Sequence, residues 1–440
     1  MPRVRTELPG PRSRAILETA RRYEPHSMSD QVPVVWDRAR GCVIWDVDGN
    51  EFLDWCSGVL VTNVGHCHPD YVAAVQAQAE KLFNCYDFPS EPRALLAEKL
   101  VRMTPPHLDK AFLLTTGSDA TEAAIRMARR AHEGWEILAF HGAFHGRSLG
   151  AASAGGSLGV KKGYGPLVPG FLHAPFPYCY RCPFGLEYPD CALQCLEYLD
   201  WVISRESCGA LCAVITESYQ GGAGSVIPPP GWYEGLEQWR KEQGIYLILD
   251  EVQSSFGRTG RMFCMEYWDI EPDLVCLGKG LGSGVPCSAV MGRHEIMDLL
   301  PPGSMSSTNG GIPISSAAAL AALEIIERED LVGNSARMGE LFGARFREMQ
   351  TRVEQLGDVR GLGLVWGLEL VEDRTSKTPA VELCKAVVQE AARRGLMMIA
   401  PIGMFGNVLR VAPPLVITQQ EANESLDIFE AVLAAVCGVA

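Results

Sequence analysis

Between about residue 70 and residue 330 the chain alternates between two periodicities. Asp70–Leu82, Glu91–Met103 and Asp119–His132 place apolar residues at helical spacing. Among them stand short apolar runs: Ala111–Thr115, Ile137–His141, Ala210–Glu217, Tyr246–Asp250, Asp273–Leu277 and Ala289–Gly292. Runs of that length, apolar throughout rather than alternating, read as strands buried on both faces. Strands separated by helices predict a mostly parallel sheet covered on both sides, an α/β architecture. Beyond residue 330 the pattern changes. Asn334–Leu356 reads as a long amphipathic helix, Gly361–Leu370 as strand, Ala380–Arg394 as helix, Val408–Val411 as strand and Glu421–Val436 as a closing helix. That α+β segment predicts a second domain.

Residues 1–30 are polar and contain Pro9-Gly10-Pro11, which predicts an extended arm with one short helix around Ser13–Tyr23. Val32–Trp36, Cys42–Asp46 and Glu51–Trp55 read as hairpin strands, the last two joined at Asp48-Gly49-Asn50. Asp46–Asn50 has a faint likeness to a calcium loop, but the closing glutamate is missing, and Asp-Gly-Asn between strands is a turn. The expected organisation is an arm and part of a small domain over 1–69, a large domain over 70–330, and the rest of the small domain over 331–440.

Composition narrows the function. The 440 residues carry 39 basic and 53 acidic side chains, a net charge of −14, spread along the chain. Such a chain is a poor partner for a phosphate backbone, so nucleic-acid binding is not expected. Apolar residues make up 47% and charged residues 21%, which excludes wholesale disorder. No uncharged apolar run approaches the roughly 18 residues of a membrane span, and Met1–Glu7 has no apolar core of a secretory signal. Fifteen scattered cysteines, an odd number, favour reduced thiols in the cytoplasm over a disulfide framework.

Three stretches carry candidate chemistry. Asp250 and Glu251 close an apolar strand, and ligands in open α/β sheets sit at the carboxyl ends of strands. A carboxylate there is costly without a cationic partner. Lys279 stands in Gly278-Lys279-Gly280-Leu281-Gly282-Ser283-Gly284, after another apolar run and without Walker A spacing. A lysine among glycines at a strand end suits Schiff-base chemistry. Thr115–Glu122 sets small residues and hydroxyls at a helix start, an anion site made of backbone N–H groups and the helix dipole. Taken singly, these are a salt bridge, a solvated loop lysine and a capping box. Together they are what pyridoxal 5'-phosphate requires: an amine for its aldehyde, an acid for its ring nitrogen and a cradle for its phosphate.

With these residues in place, the sequence resembles the class III aminotransferases, pyridoxal phosphate enzymes of fold type I, in the 4-aminobutyrate aminotransferase-like branch. The likeness runs from Leu8-Pro9-Gly10-Pro11 and Asn63–Pro69 to Gly406–Arg410. Its most specific part is Leu249–Gln253 with Gly257-Arg258-Thr259-Gly260, followed by Lys279. The resemblance implies a mostly parallel seven-stranded sheet in a large domain and a smaller α+β domain from both chain ends. It implies that Lys279 is the lysine that holds the cofactor and moves the proton, and that Asp250 pairs with the ring nitrogen. Val252 and Phe144 would flank the ring, Gln253 would bond near its phenolic oxygen, and His145 and Glu217 would complete its surroundings. Gly117 and Ser118 would bind the phosphate with Thr308 of a neighbouring subunit, which implies a homodimer or a dimer of dimers. Arg410 would hold the α-carboxylate, its planar fork matching a carboxylate. Arg147 matches the arginine for a distal carboxylate, and Val59 would line the substrate entrance.

Departures from the family pattern bear on the substrate. The 4-aminobutyrate branch masks the α-carboxylate arginine with a glutamate five residues after the one equivalent to Glu217; here Gly222 stands there. Ser218 replaces the usual proline. Without the mask Arg410 stays available to a carboxylate in both half-reactions, unless it swings outward. The expected activity is a ping-pong transfer of an amino group from an amino acid or amine to a 2-oxo acid. The alternatives on the same scaffold are an amino acid racemase or epimerase, which Gly222 and the Cys179–Cys182 segment resemble, and a 2,2-dialkylglycine decarboxylase. For the latter speak Leu108–Lys110, Glu122–Ala128 and Val411–Pro414; against it speak Val59, Phe144 and Arg147. A non-catalytic scaffold would not need Asp250, Gln253, Lys279 and Arg410 intact. Cys179, Cys182, Cys191 and Cys195 have the spacing C-x2-C-x8-C-x3-C, which four-thiolate metal sites also use. Pro177, Pro183 and Pro189 mark an irregular excursion there, and no metal is expected.

Overall fold

The apolar runs between residues 110 and 292 assemble into one sheet of seven strands. In the computed structural model, which describes residues 2–28 and 30–438, the sheet belongs to a compact unit formed by Asp70–Phe256 and Arg261–Ile325. Across the sheet the strands run Lys110–Leu114, Ser288–Gly292, Leu274–Leu277, Tyr246–Asp250, Leu211–Glu217, Glu136–Phe140 and Phe171–Ala174. Only Ser288–Gly292 runs antiparallel to its neighbours. Ile137–Phe140 and Leu247–Leu249 have no exposed surface, as the unbroken apolar runs require. The helix Gly117–Ala131 turns Ala120, Ala123, Ala124, Met127 and Ala128 into this core; small side chains bring its axis close to the strands. The strand Phe171–Ala174 was not apparent in the sequence: it is four residues long and contains His173.

The other unit comprises the chain up to Pro69, Gly257–Gly260 and the chain from Ile326 on. Its first sheet pairs Trp36–Arg40, Val43–Asp46 and Glu51–Asp54 antiparallel, and Leu396–Met397 joins the last of these in parallel. The first strand therefore lies at Trp36–Arg40, not at Val32–Trp36. It is mostly exposed, so its composition is polar and apolar patterning does not mark it. The Asp48 carboxylate accepts the backbone N–H groups of Arg12 and Ser13 at 2.8 and 2.9 Å, so the turn caps the helix Pro11–Tyr23. Asp46 accepts the N–H groups of Asp48 and Asn50 at 3.0 and 2.7 Å, which is a turn's bonding pattern. A second sheet holds Leu356–Leu362, Val365–Leu370 and Val408–Val411. The single strand expected over Gly361–Leu370 is thus most of a hairpin. Trp55, Phe342, Phe346 and Phe429 pack ring against ring in this unit's core.

Gly257–Gly260 belongs to this second unit through Arg258. Its guanidinium, fully buried, donates to the carbonyl oxygens of Leu364 and Pro413 and to Asn63 Oδ1. No helix among the described residues is long and apolar enough to cross a membrane.

Candidate functional site

Loops of the large-sheet unit leave the carboxyl ends of its parallel strands, where ligands of such sheets bind. Asp250 ends one strand and lies in register with Glu217 on the next. Its Oδ2 is 2.8 Å from Nδ1 of His145, and its Oδ1 accepts the N–H of Val252 at 3.0 Å. The ring of His145 is fully buried, and its Nε2 has no hydrogen-bond partner among the described residues. A buried carboxylate with a histidine behind it is a built electrostatic feature, not a surface ion pair.

The strand Lys110–Leu114 leads into the helix Gly117–Ala131. Thr116 caps that helix, accepting the N–H of Asp119 at 3.2 Å while the Asp119 carboxylate accepts its N–H at 2.9 Å. This leaves the N–H groups at the helix start, beside Gly117 and Ser118, for an anion. A methyl group on Gly117 would stand 2.7 Å from Cγ1 of Val252, so only glycine lets Val252 pack on this turn. The Oγ of Ser118 accepts the N–H of Arg147 at 3.2 Å, which ties the helix start to the Phe144–Arg147 loop. Arg147 is exposed and lies over the ring of Phe144, 5.8 Å from its centroid.

Lys279 follows the strand Leu274–Leu277 in one short turn of 3-10 helix and has φ +44. A lysine in the left-handed region is uncommon, and such outliers persist where surroundings over-determine them. The hydroxyl of Tyr71 contributes to that: it donates to the carbonyl of Gly282 at 2.5 Å and accepts the N–H of Val285 at 3.3 Å. Nothing in the sequence near Tyr71 marks this role, because its partners lie over 200 residues away. Gln253 is half-buried and accepts the hydroxyl of Tyr219 at 3.2 Å. Ser218, the departure from the family's proline, donates to Glu251 at 2.6 Å. Ser254 and the N–H groups of Cys264 and Met265 complete four donors to that buried carboxylate.

Asp250, Val252, Gln253, His145, Phe144, Arg147, Gly117, Ser118, Glu217 and Lys279 thus share one unit and the same end of one sheet. Thr308 is in that unit too, exposed, its carbonyl accepting from Asn84 at 3.0 Å. Val59 and Arg410 lie in the other unit. Arg410 is buried in the strand Val408–Val411. Val59 is 41% exposed on a turn in which Ser57, Gly58, Val59 and Leu60 all have positive φ, from +48 to +70. Left-handed backbone costs about 1–2 kcal/mol for each non-glycine residue. Asp54 holds the turn by accepting the N–H groups of Cys56 and Ser57 at 2.7 and 3.0 Å, and His66 lies 2.7 Å from its other oxygen. His68 pairs with Glu329 at 3.2 Å, so both histidines of that loop serve as hydrogen-bonding partners.

Cys179, Cys182, Cys191 and Cys195 line one cavity of about 20 Å³ together with Phe176 and Phe184. Burial pushes the Cys195 thiol up to about 12, with Cys179 and Cys191 adding to it. Among the described residues no group of three or more His, Cys, Asp or Glu is arranged to hold a metal ion.

The site fits pyridoxal phosphate. A buried acid ends one strand, a lysine follows the neighbouring strand, and a helix start offers backbone N–H groups suited to a phosphate. Comparison with known proteins agrees. A family model described as aminotransferase class-III matches residues 25–433. An alanine/serine racemase of Pyrococcus horikoshii is 37% identical over 98% of this chain and 92% of its own length. A 4-aminobutyrate aminotransferase of Mycobacterium leprae is 36% identical over 97% of each. Among solved structures, an amine transaminase from an uncultivated Pseudomonas species in its PLP-bound form superposes with a TM-score of 0.87 at 31% identity, over 94% of this chain and 97% of that one.

Proposed function

The chain belongs to the class-III aminotransferase family, a pyridoxal phosphate-dependent family of fold type I, and from that premise we propose how its residues divide the work of moving an amino group from an amino acid or amine to a 2-oxo acid. Bound pyridoxal phosphate supplies the electron sink for the pair released when a bond to the substrate's α-carbon breaks. Lys279 would hold the cofactor through its Nζ, and the same Nζ would carry the substrate's α-proton. Asp250, backed by His145, keeps the ring nitrogen protonated. The N–H groups around Gly117 and Ser118 hold the phosphate. Val252 and Phe144 confine the ring, and Gln253 orients its oxygen. Arg410 takes the α-carboxylate, Arg147 a second carboxylate where the substrate has one, and Val59 limits its bulk.

The observation that supports this reading most is the buried Asp250–His145 pair, 2.8 Å apart at a strand end. The test is spectroscopic. Purified protein loaded with pyridoxal phosphate should show a visible absorption band that an amino donor alone bleaches. Lys279→Ala should lose turnover with its far-UV circular dichroism intact; a variant that still turns over sinks the assignment.

A second reading, racemisation, is favoured by Gly222, which stands where the 4-aminobutyrate branch carries a glutamate, and by the likeness to the alanine/serine racemase. The two would differ in the fate of the proton carried by Lys279: in transamination the α-carbon would not regain it, and in racemisation the α-carbon would regain a proton on its opposite face. Incubating one L-amino acid with holoenzyme and no oxo acid separates them. D-enantiomer in many turnovers means racemase, carbon dioxide means decarboxylase, and a single stoichiometric bleaching means transaminase.

The working assembly in this proposal is a homodimer in which Thr308 of a second copy reaches the phosphate. Phe83 and Phe88, 59% and 75% exposed, with Leu82 and Tyr86 beside them, form an apolar surface in the segment that also holds Thr308 through Asn84. The proposed compartment is the cytoplasm, where the fifteen cysteines, all free thiols, stay reduced.

A further inference from the structure

Glu217 ends the strand Leu211–Glu217 and is buried. Its Oε1 accepts the N–H of Phe144 at 2.9 Å and its Oε2 accepts the N–H of Gly221 at 3.0 Å. Those two N–H groups belong to different loops. One carries Phe144, His145 and Arg147; the other is the glycine-rich turn Gly221-Gly222. The second loop is wedged tightly. A methyl group on Gly221 would stand 1.9 Å from Oε1 of Gln253, and one on Gly222 would stand 3.1 Å from Cβ of Phe144. One carboxylate therefore sets the position of two loops whose side chains and neighbours bracket the ring site.

We propose that Glu217 is a positioning residue: as a carboxylate it fixes the Phe144 loop and the Gly221–Gly222 loop against one strand end, and it releases one of them when it takes up a proton. The proposal rests on the cofactor assignment above. An ionised carboxylate offers acceptors on both oxygens, whereas a carboxylic acid has one hydroxyl that must donate. Both groups facing Glu217 in these bonds are donors, so a proton on either oxygen opposes an N–H. The other groups around it are Asp250 on the adjacent strand, His145 on the Phe144 loop, and Tyr233, whose hydroxyl donates to the Glu217 carbonyl at 2.5 Å. Burial pushes the Glu217 carboxyl up to about 7, with Asp250 adding to the rise and His145 and the two N–H bonds opposing it. The double grip is therefore complete above pH about 7 and is lost as pH falls through it.

The experiment uses holoenzyme whose Lys279 linkage has been reduced with borohydride, which removes that linkage's own titration. Near-ultraviolet circular dichroism of the reduced pyridoxyl group is followed on both sides of pH about 7. The wild type should show a transition with its midpoint in that region. Glu217→Gln, which can accept from one loop only at any pH, should lack the transition. In unreduced protein it should also bind pyridoxal phosphate about tenfold more weakly, the worth of one hydrogen bond to a charged acceptor. Glu217→Asp keeps the charge with a shorter reach; it should retain a transition yet bind about tenfold more weakly, and it carries the test if the glutamine variant does not fold. Variants that keep the wild-type transition and bind cofactor within about twofold of wild type overturn the proposal. If unreduced wild-type protein loaded with pyridoxal phosphate gives no visible band at all, the cofactor assignment falls and this inference with it.

Discussion

Arg258 offers the sharpest test of how the second unit is held together. Its guanidinium donates to the Leu364 carbonyl at 2.9 Å, to the Pro413 carbonyl at 2.6 Å and to Asn63 Oδ1 at 3.0 Å. The partners are 106, 155 and 195 residues away in sequence, so one side chain joins both chain ends of the unit. Arg258→Met keeps an apolar stem of similar length and removes all three bonds. A hydrogen bond from a charged donor contributes about 1.5–3 kcal/mol net, and that figure includes the cost of the orphaned acceptor. Three such bonds give roughly 5–9 kcal/mol. Against this, the variant no longer has to strip water from a guanidinium, an effective penalty of several kcal/mol. The difference leaves an expected destabilisation of about 3–5 kcal/mol, the range seen when one partner of a buried charged contact is removed.

That loss is a large part of the roughly 5–15 kcal/mol that holds a folded domain. Urea denaturation read at unchanged slope should show it as a lower midpoint. Arg258→Lys should recover about one of the three bonds, because a point ammonium cannot span acceptors set around a planar fork. A methionine variant within about 1 kcal/mol of wild type would refute the reasoning, since the three carbonyl-type acceptors would then have found other donors.

Three further outcomes follow from the site and the surface. Asp250→Asn should still bind pyridoxal phosphate but lose about a hundredfold or more in kcat, because the ring nitrogen loses its anionic partner; steady-state kinetics beside a cofactor titration reads both. Gly117→Val should weaken cofactor binding about tenfold or more, since a Cβ there stands 2.7 Å from Val252; unchanged affinity would mean the phosphate lies elsewhere. His294, exposed at the surface, should titrate above the ordinary histidine value because its Nδ1 bonds the Asp109 carboxylate at 2.7 Å, with Glu295 adding. A raised histidine value stabilises the fold below its unfolded value and ceases to do so as pH rises through the folded one, so Asp109→Asn should return the NMR titration to the ordinary range.

How much of this was legible in the sequence depends on how far apart the partners lie. Asp250, Lys279 and Gly117–Ser118 sit where an apolar run stops, and the stop is visible in the chain itself. Their convergence could be expected because strand ends of an α/β sheet come together whatever the loops do. The strand Trp36–Arg40 was misplaced for the converse reason. It is exposed, so burial did not write an apolar pattern into it.

What could not be read is the wiring between loops. Glu217 reaches Phe144 across 73 residues, Tyr219 reaches Gln253 across 34, and Tyr71 reaches Gly282 across 211. No local spacing encodes such pairs; only the sheet order brings them together. The same holds for Ser218, which as a sequence feature was merely a missing proline and in the structure is one of four donors to the buried Glu251. These contacts bear on reaction choice. In the proposed reading, transamination and racemisation would use the same acid, lysine and phosphate cradle and differ in whether the α-carbon regains its proton. Phe144 and Gly222 lie close enough that a single methyl group on Gly222 would stand 3.1 Å from Cβ of Phe144. Substituting Gly222 while following α-proton exchange in one L-amino acid, with and without a 2-oxo acid, therefore probes the choice directly. A change in the ratio of exchange to transfer places the decision in this loop, and an unchanged ratio places it outside.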